Sequence, residues 1–247
     1  MSKILILGAT GSLGTHVVQQ AAAANHKISV MVRRLLDVPT ELRKKVMIYE
    51  ADLAEMSTFA LATIFRNYDA VINTAGNVAD GQRFVDLTDR IVTSLESIPE
   101  ATRPVCWFMA GAAVLDMDSD GRKAVDLPLI KSTYWPHSAN FERIRQTTLD
   151  WRILCPGPLV SQPAVGLSQL RVSLDRLPIE IPSSTKYSLG ALALPFFTQH
   201  ISEMMVPYSD AAALILANLS PKGEMSRHRV GLALPIAARS GVPANVI

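Results

Sequence analysis

The sequence predicts an α/β fold, a doubly wound parallel sheet with helices on both faces. Three observations predict it. Strand-like and helix-like patterns alternate through the first ~155 residues, as a parallel sheet with crossover helices requires. Several strand-like runs are apolar without alternation, Ile4-Leu5-Ile6-Leu7 first among them, and such runs are buried on both faces. The length of 247 residues at 49% hydrophobic content suits one compact α/β unit with a large core.

The first run leads into Gly8, Gly11 and Gly14, spaced by three, and then into a helical pattern with Leu13, Val17, Val18 and Ala21 on one face. A buried strand, a glycine turn and an amphipathic helix in that order open a dinucleotide-binding βαβ unit. Gly8 permits a tight turn, Gly11 lets the backbone approach a pyrophosphate, and Gly14 lets the helix pack close to the strand. Thr10, Ser12 and Leu13 complete a turn whose unpaired N–H groups and positive dipole end suit phosphates. A purely structural glycine turn is the alternative; the flanking strand and helix favour the cofactor.

The spacing Gly-x-x-Gly-x-x-Gly, with Ala9-Thr10 inside it, resembles the atypical, extended-like short-chain dehydrogenase/reductase superfamily, and within it the NmrA-like, NAD(P)H-binding group. The resemblance implies a single Rossmann-type domain over residues 1–247 that binds NADP(H), with residues 158–206 as a small segment covering the substrate.

After the first helix, Asn25-His26 makes the turn, since Asn tolerates the left-handed cap conformation. Ile28 to Val32 is the second strand, and it ends in Arg33-Arg34, nineteen residues after Gly14. At this point an acidic residue binds the 2′-hydroxyl of NAD, and an arginine accommodates the 2′-phosphate of NADP. No carboxylate follows until Asp37, so Arg33 is expected to hold the phosphate, with Arg34 as alternative or helper. Two solvated loop arginines are the plainer reading.

Val46 to Tyr49 is the third strand, followed by Ala51-Asp52-Leu53. The superfamily often has Gly-Asp-hydrophobic here, with the Asp near the adenine amino group. The resemblance gives Asp52 and Leu53 that place, with Ala51 departing from the usual glycine. Asp52 also suits the cap of a helix starting near Ala54. Ala70 to Asn73 is the fourth strand, and its exit resembles the family's Asn-x-Ala-Gly element, which places Ala75 and Gly76 beside the cofactor. A helix follows from Gly81 to Leu95 with Phe84, Leu87 and Ile91 on one face. Pro99 and Pro104 lead to strand five, Val105 to Met109.

Short-chain dehydrogenases of the usual kind carry a Ser at the end of strand five. This chain has Ala110-Gly111-Ala112-Ala113 and no hydroxyl; Ala110 is expected beside the cofactor. The usual Tyr-x-x-x-Lys is also incomplete: Tyr134 is followed four residues on by Ser138, and the nearest lysine, Lys131, lies upstream. Without that lysine Tyr134 is expected to be a poor proton shuttle. Counted back from Trp151, His137 falls where flavin reductase/biliverdin-IXβ reductase, an atypical member lacking the Tyr-Lys pair, carries an active-site histidine. Tyr134 and His137 are three apart at the start of an expected helix and can share a face. His137, ordinarily titrating near ~6.5, is the better-placed donor or substrate anchor. A capping or surface histidine stands equally open, because Pro136 suits the first helical turn.

Leu149 to Pro158 looks like the sixth strand and the Pro-Gly turn of the NmrA-like group, with Pro156 at the cofactor and Cys155 where that group often has Arg. Residues ~158 to 206 break the alternation with Pro163, Pro178, Pro182 and Pro195, apolar and without ionic clusters, as a pocket cover would be. Tyr208-Ser209-Asp210-Ala211-Ala212 opens an apolar helix with Asp210 near its positive end. Arg229 to Leu234 is the last expected strand.

A net charge of +2 gives no ground for nucleic acid or an anionic membrane, and the Arg43-Lys44-Lys45 run fits a solvated helix face. No stretch reaches the ~18 apolar residues of a membrane span, and no signal peptide is expected before the first strand. The two cysteines, Cys106 and Cys155, fall in buried strands, which points to free thiols and a reducing, cytoplasmic compartment. No cluster has metal-ligand spacing. The partner is expected to be a small-molecule substrate or redox acceptor, with the oligomeric state open. The missing triad favours an NADPH-dependent reductase whose acceptor is a flat flavin, quinone or similar group, because a ketone needs a donor for its developing alkoxide. The alternative is an NADP(H)-binding redox-sensing regulator without turnover, since NmrA-like proteins include such regulators.

Overall fold

A computed structural model describes residues 1–179 and 199–235. Its strands are β1 (Lys3–Leu7), β2 (Lys27–Val32), β3 (Met47–Glu50), β4 (Ala70–Asn73), β5 (Val105–Met109), β6 (Trp151–Cys155), β7 (Leu159–Val160), β8 (Arg171–Leu174), β9 (Val206–Pro207) and β10 (His228–Ala233). The helices that flank them are α1 (Ser12–Ala23), α2 (Thr40–Arg43), α3 (Thr58–Phe65), α4 (Gln82–Glu96), α5 (Pro128–Arg145) and α6 (Tyr208–Ala217).

Eight strands form one sheet in the order β3-β2-β1-β4-β5-β6-β10-β8, and β7 pairs with β9 beside it. All neighbours in the large sheet run parallel except β8, which lies antiparallel on β10 at the edge. The apolar runs explain this. In β1 the side chains alternate between two cores: Leu5 and Leu7 join Phe65, Leu95 and Phe108 on one face, while Ile4 and Ile6 join Val17, Trp107 and Ile215 on the other. A strand with no polar face must be covered twice. Helices α1 and α6 supply the second core, and α3, α4 and α5 the first. The strand order reverses between β1 and β4, which opens a crevice at the carboxyl ends of those strands.

Two helix starts differ from the sequence expectation. Helix α3 begins at Thr58, not near Ala54, and its cap is Ser57, whose hydroxyl accepts from the Ala60 N–H at 3.2 Å. Asp52 closes a turn instead, accepting from the Ala54 N–H at 2.9 Å. Helix α5 begins six residues before Tyr134. Pro128 takes the first turn expected of Pro136, and Pro136 lies inside the helix, buried. There Pro136 cannot donate to the turn before it, an interruption that tertiary packing tolerates.

Of the expected covering segment, residues 158–179 and 199–206 are described; Pro182 and Pro195 lie outside the described residues. Cys106 and Cys155 are free and buried, and burial pushes both thiols well above their ordinary range. Among the described residues no helix is long and apolar enough to cross a membrane, and no three His, Cys, Asp or Glu side chains gather as metal ligands would.

Candidate functional site

The crevice starts at the glycine turn. Gly8 has φ +77°, and a Cβ there would lie 2.6 Å from the Ala75 nitrogen, so the turn presses on the exit of β4. Thr74 ties the two together: its hydroxyl donates to the Leu7 carbonyl at 2.8 Å. Gly14 has no spare room either, since a Cβ would sit 2.1 Å from the Gly8 carbonyl oxygen. Gly11 differs. A Cβ there would meet only the Gly8 oxygen, at 3.3 Å, and Thr10, Gly11 and Ser12 are exposed while Leu13 is buried beneath them. Helix α1 has no side-chain cap and no acidic residue in its first turn. An open glycine before an uncapped helix start is a cradle that a Cβ would fill, and it suits a pyrophosphate.

At the end of β2 the two arginines separate. Arg34 makes a two-pronged pair with Asp37, at 2.8 and 3.1 Å. Arg33 is exposed, and no protein group holds its guanidinium among the described residues. The loop they stand on is fastened by Glu50, which accepts from the Leu35 N–H at 2.8 Å, and by Arg43, which donates to the Val38 and Leu36 carbonyls. Asp52 is exposed next to this loop's strand, and Leu53 is buried.

The exits of β4, β5 and β6 form the other half. Gly76 has φ +102°, and its missing side chain makes room for the Phe84 ring, which a Cβ would approach to 2.3 Å. Ala110 and Ala112 are stitched to β6 through their N–H groups, which donate to Leu154 and Pro156 carbonyls at 2.9 Å. Pro156 is buried, and Gly157 abuts Met204, where a Cβ would lie 2.7 Å away. Asp210, in the first turn of α6, accepts from the Val165 and Gly166 N–H groups at 2.7 and 2.9 Å and so fastens the segment that follows β7.

His137 arrives at this point from the middle of α5, not from a helix start, so the capping reading of this residue falls. Its Cδ2 and Nε2 lie 3.5 and 3.7 Å from where a Gly111 Cβ would be. Phe84 meets the imidazole edge-on at 5.7 Å between centroids, and Tyr134 lies nearly parallel to it at 6.2 Å. Tyr134 itself is 38% exposed. The structure therefore brings His137, Tyr134, Phe84 and the hydroxyl-free β5 exit together.

Burial among these rings lowers His137 from its ordinary 6.5 to about 4, which corrects the expectation of titration near neutrality. The imidazole is neutral at pH 7. The unfolded chain takes up a proton between pH 6.5 and about 4 that the folded chain refuses, so this contribution is complete above 6.5 and is lost as pH falls through that window. The total is about 3 kcal/mol. Urea unfolding at several pH values should show that slope in the parent and a flatter profile in His137→Phe; equal slopes would remove His137 as its source.

Sequence reasoning missed the group that shapes the β5 exit loop. Arg229 is 6% exposed and donates to the Val114 carbonyl at 2.6 Å, to both Asp116 oxygens at 3.0 and 2.9 Å, and to Asp175 at 3.2 Å. Its guanidinium lies 4.6 Å above the Phe141 ring. Burial alone would raise the Asp175 carboxyl, but hydrogen bonds from His228 and Arg229 outweigh it and hold it low. No local pattern announced this, because the groups Arg229 holds lie more than fifty residues from it in the chain.

A model of the family described as NAD(P)H-binding matches residues 8–182. The Bacillus subtilis (strain 168) protein YwnB is 27% identical over 160 residues, which is 62% of this chain and 71% of YwnB. Among solved structures, a candidate NADH-flavin reductase from Streptococcus pneumoniae is similar at a TM-score of 0.68 and 18% identity, over 95% of this chain and all of that one. An anaerobillin reductase from Escherichia coli O157:H7 is similar at 0.63 and 15% identity, over 98% and 99%. At these identities the two structures establish a common fold.

Proposed function

The chain belongs to the NAD(P)H-binding family, and from that premise we propose that it is a reductase, one that passes hydride from NADPH to a flat redox acceptor such as a flavin or quinone. The observation that carries this reading is the β5 exit: alanines and a glycine stand beside a neutral, half-buried His137, with no lysine one turn after Tyr134. Such a surface can hold two rings in contact, and hydride transfer between rings depends mostly on that contact. It offers little to a developing alkoxide. The solved relatives described as flavin and anaerobillin reductases lend the reading support by analogy of fold.

In this reading the backbone of Gly8 to Gly14 and the first turn of α1 hold the pyrophosphate. Asp52 and Leu53 border the adenine, and Ala75, Gly76, Ala110 and Pro156 border the nicotinamide half. When bound, NADPH supplies the hydride. His137 donates or accepts a hydrogen bond at the acceptor as a neutral imidazole, and Phe84 with Tyr134 keeps water from its flank.

The test is NADPH oxidation with a panel of quinones, flavins and aldehydes. Turnover of flat acceptors and not of aldehydes is expected. Cofactor binding with no turnover of any acceptor would overturn the reductase reading in favour of a redox-sensing regulator. Within a positive panel, His137→Ala should lower turnover at least about tenfold with NADPH affinity unchanged, and Tyr134→Phe should do less. The reverse ranking would make the tyrosine the working group.

The choice of NADP over NAD is assigned to Arg33, because Arg34 is already paired with Asp37. A charge-assisted bond to the 2′-phosphate contributes about 1.5–3 kcal/mol. Arg33→Ala should therefore weaken NADPH binding at least about tenfold and leave NADH binding nearly unchanged. Equal affinity of the parent for both cofactors, measured by fluorescence titration, would sink this assignment.

A further inference from the structure

Among the described residues six buried side-chain polar atoms have no hydrogen-bond partner in the protein, and three of them belong to two residues of α5: His137 Nδ1, Asn140 Nδ2 and Asn140 Oδ1. Asn140 is 3% exposed. Residues three apart on a helix are neighbours on one face, so these orphaned atoms are one turn apart. An amide buried with neither its donors nor its acceptor met is costly, and a buried water with two to four polar partners is the usual remedy. Phe84, whose ring meets the imidazole edge-on, offers no polar atom, and the Tyr134 ring lies on another side at 6.2 Å between centroids.

The imidazole has two distinct edges. The Cδ2–Nε2 edge faces Gly111 at the β5 exit, and the Nδ1 edge is the buried one. A neutral imidazole carries one proton: one nitrogen donates and the other accepts, and the partner of the buried nitrogen decides which.

We propose that Asn140 is a positioning residue: its side-chain amide holds a buried water against His137 Nδ1, and this bridge keeps the imidazole proton on Nε2, aimed at the end of β5. The Asn140 Nδ2–H donates to the water, the water donates to Nδ1, and Nε2–H is left to donate to an oxygen or nitrogen of the acceptor. Only this last consequence rests on the reductase reading; the protonated nitrogen is a property of the protein alone.

The experiment is a long-range proton–nitrogen spectrum of protein labelled at histidine, without cofactor, at neutral pH, with His137 identified by the signal missing from His137→Phe. The parent should show His137 as the single Nε2–H form. Asn140→Leu keeps the size and removes the polar atoms, and it should give a mixture of the two forms, with turnover about fivefold to tenfold lower at unchanged NADPH KM. Asn140→Asp offers only acceptors when ionised and should move the proton to Nδ1. Asn140→Ser, small and able to hold a water, should restore Nε2–H. A parent with its proton on Nδ1, or an Asn140→Leu protein that keeps Nε2–H, overturns the proposal. If Asn140→Leu does not fold, Asn140→Val, which removes the same polar atoms from a smaller side chain, takes its place, and Nε2–H kept in it overturns the proposal. Nε2–H in the parent with no turnover of any acceptor overturns the reductase reading and leaves this one standing.

Discussion

Gly14→Ala is expected to cost roughly 3 kcal/mol or more of stability, whereas Gly11→Val is expected to fold and to lose its dinucleotide. The two glycines stand three residues apart in one turn, and what surrounds them differs. A methyl on Gly14 would lie 2.1 Å from the Gly8 oxygen and 2.9 Å from the Ala9 Cα. Both are backbone atoms, so no side chain can swing away; α1 would have to lift off β1 and open the core that holds Val17, Val18 and Ala21. Gly11 has φ −74°, an ordinary value for any residue, and only the Gly8 oxygen at 3.3 Å near its missing side chain. Valine fits the fold there but fills the face offered to the pyrophosphate. A loss of at least tenfold in NADPH affinity, ~1.4 kcal/mol or more, is expected. Thermal unfolding and NADPH titration of both variants separate the effects. Gly11→Val binding as well as the parent would end the phosphate-cradle reading, and Gly14→Ala melting with the parent would mean the helix does not rest on the strand as described.

Arg229→Met should lower stability by about 3–5 kcal/mol, because it leaves Asp116 and Asp175 facing one another without their shared cation. The loss should be measured by urea unfolding near pH 7. Adding Asp116→Asn and Asp175→Asn to Arg229→Met should recover a part, since much of the cost is the charge left behind. The triple variant matching Arg229→Met would show that packing against Phe141, not charge, is what Arg229 contributes. A second consequence is local. Arg229 holds the Val114 carbonyl and Asp116, the residues into which the β5 exit runs, so slackness there should reach Gly111 and the imidazole beside it.

The frame was legible because its signals are local. Four branched apolar residues, Ile4 to Leu7, cannot lie on a half-exposed sheet, and three glycines at a spacing of three admit few turns. Those residues alone announced a buried parallel strand, a close helix and the NAD(P)H-binding family. Where a local signal was ambiguous, reading it failed. Pro136 suited the first turn of α5, but the helix starts at Pro128 and carries Pro136 within it. Asp52 suited a cap for a helix near Ala54, but α3 starts at Thr58 and is capped by Ser57.

The sequence by itself therefore determined the doubly wound class, the alternation of strands and helices as far as β6 and the glycine turn, since periodicity and backbone permissiveness act over a few residues; the antiparallel edge strand β8 came only with the tertiary structure. The tertiary structure decided what depends on neighbours distant in the chain. It showed Gly11 open where Gly14 is closed, and Arg33 free where Arg34 is paired. It buried the Arg229 network across the sheet, and it surrounded His137 with Phe84, Tyr134 and Gly111 so that the imidazole is neutral at pH 7. Protonation, pairing and free space are properties of an environment, and an environment is assembled only when the strands are laid side by side.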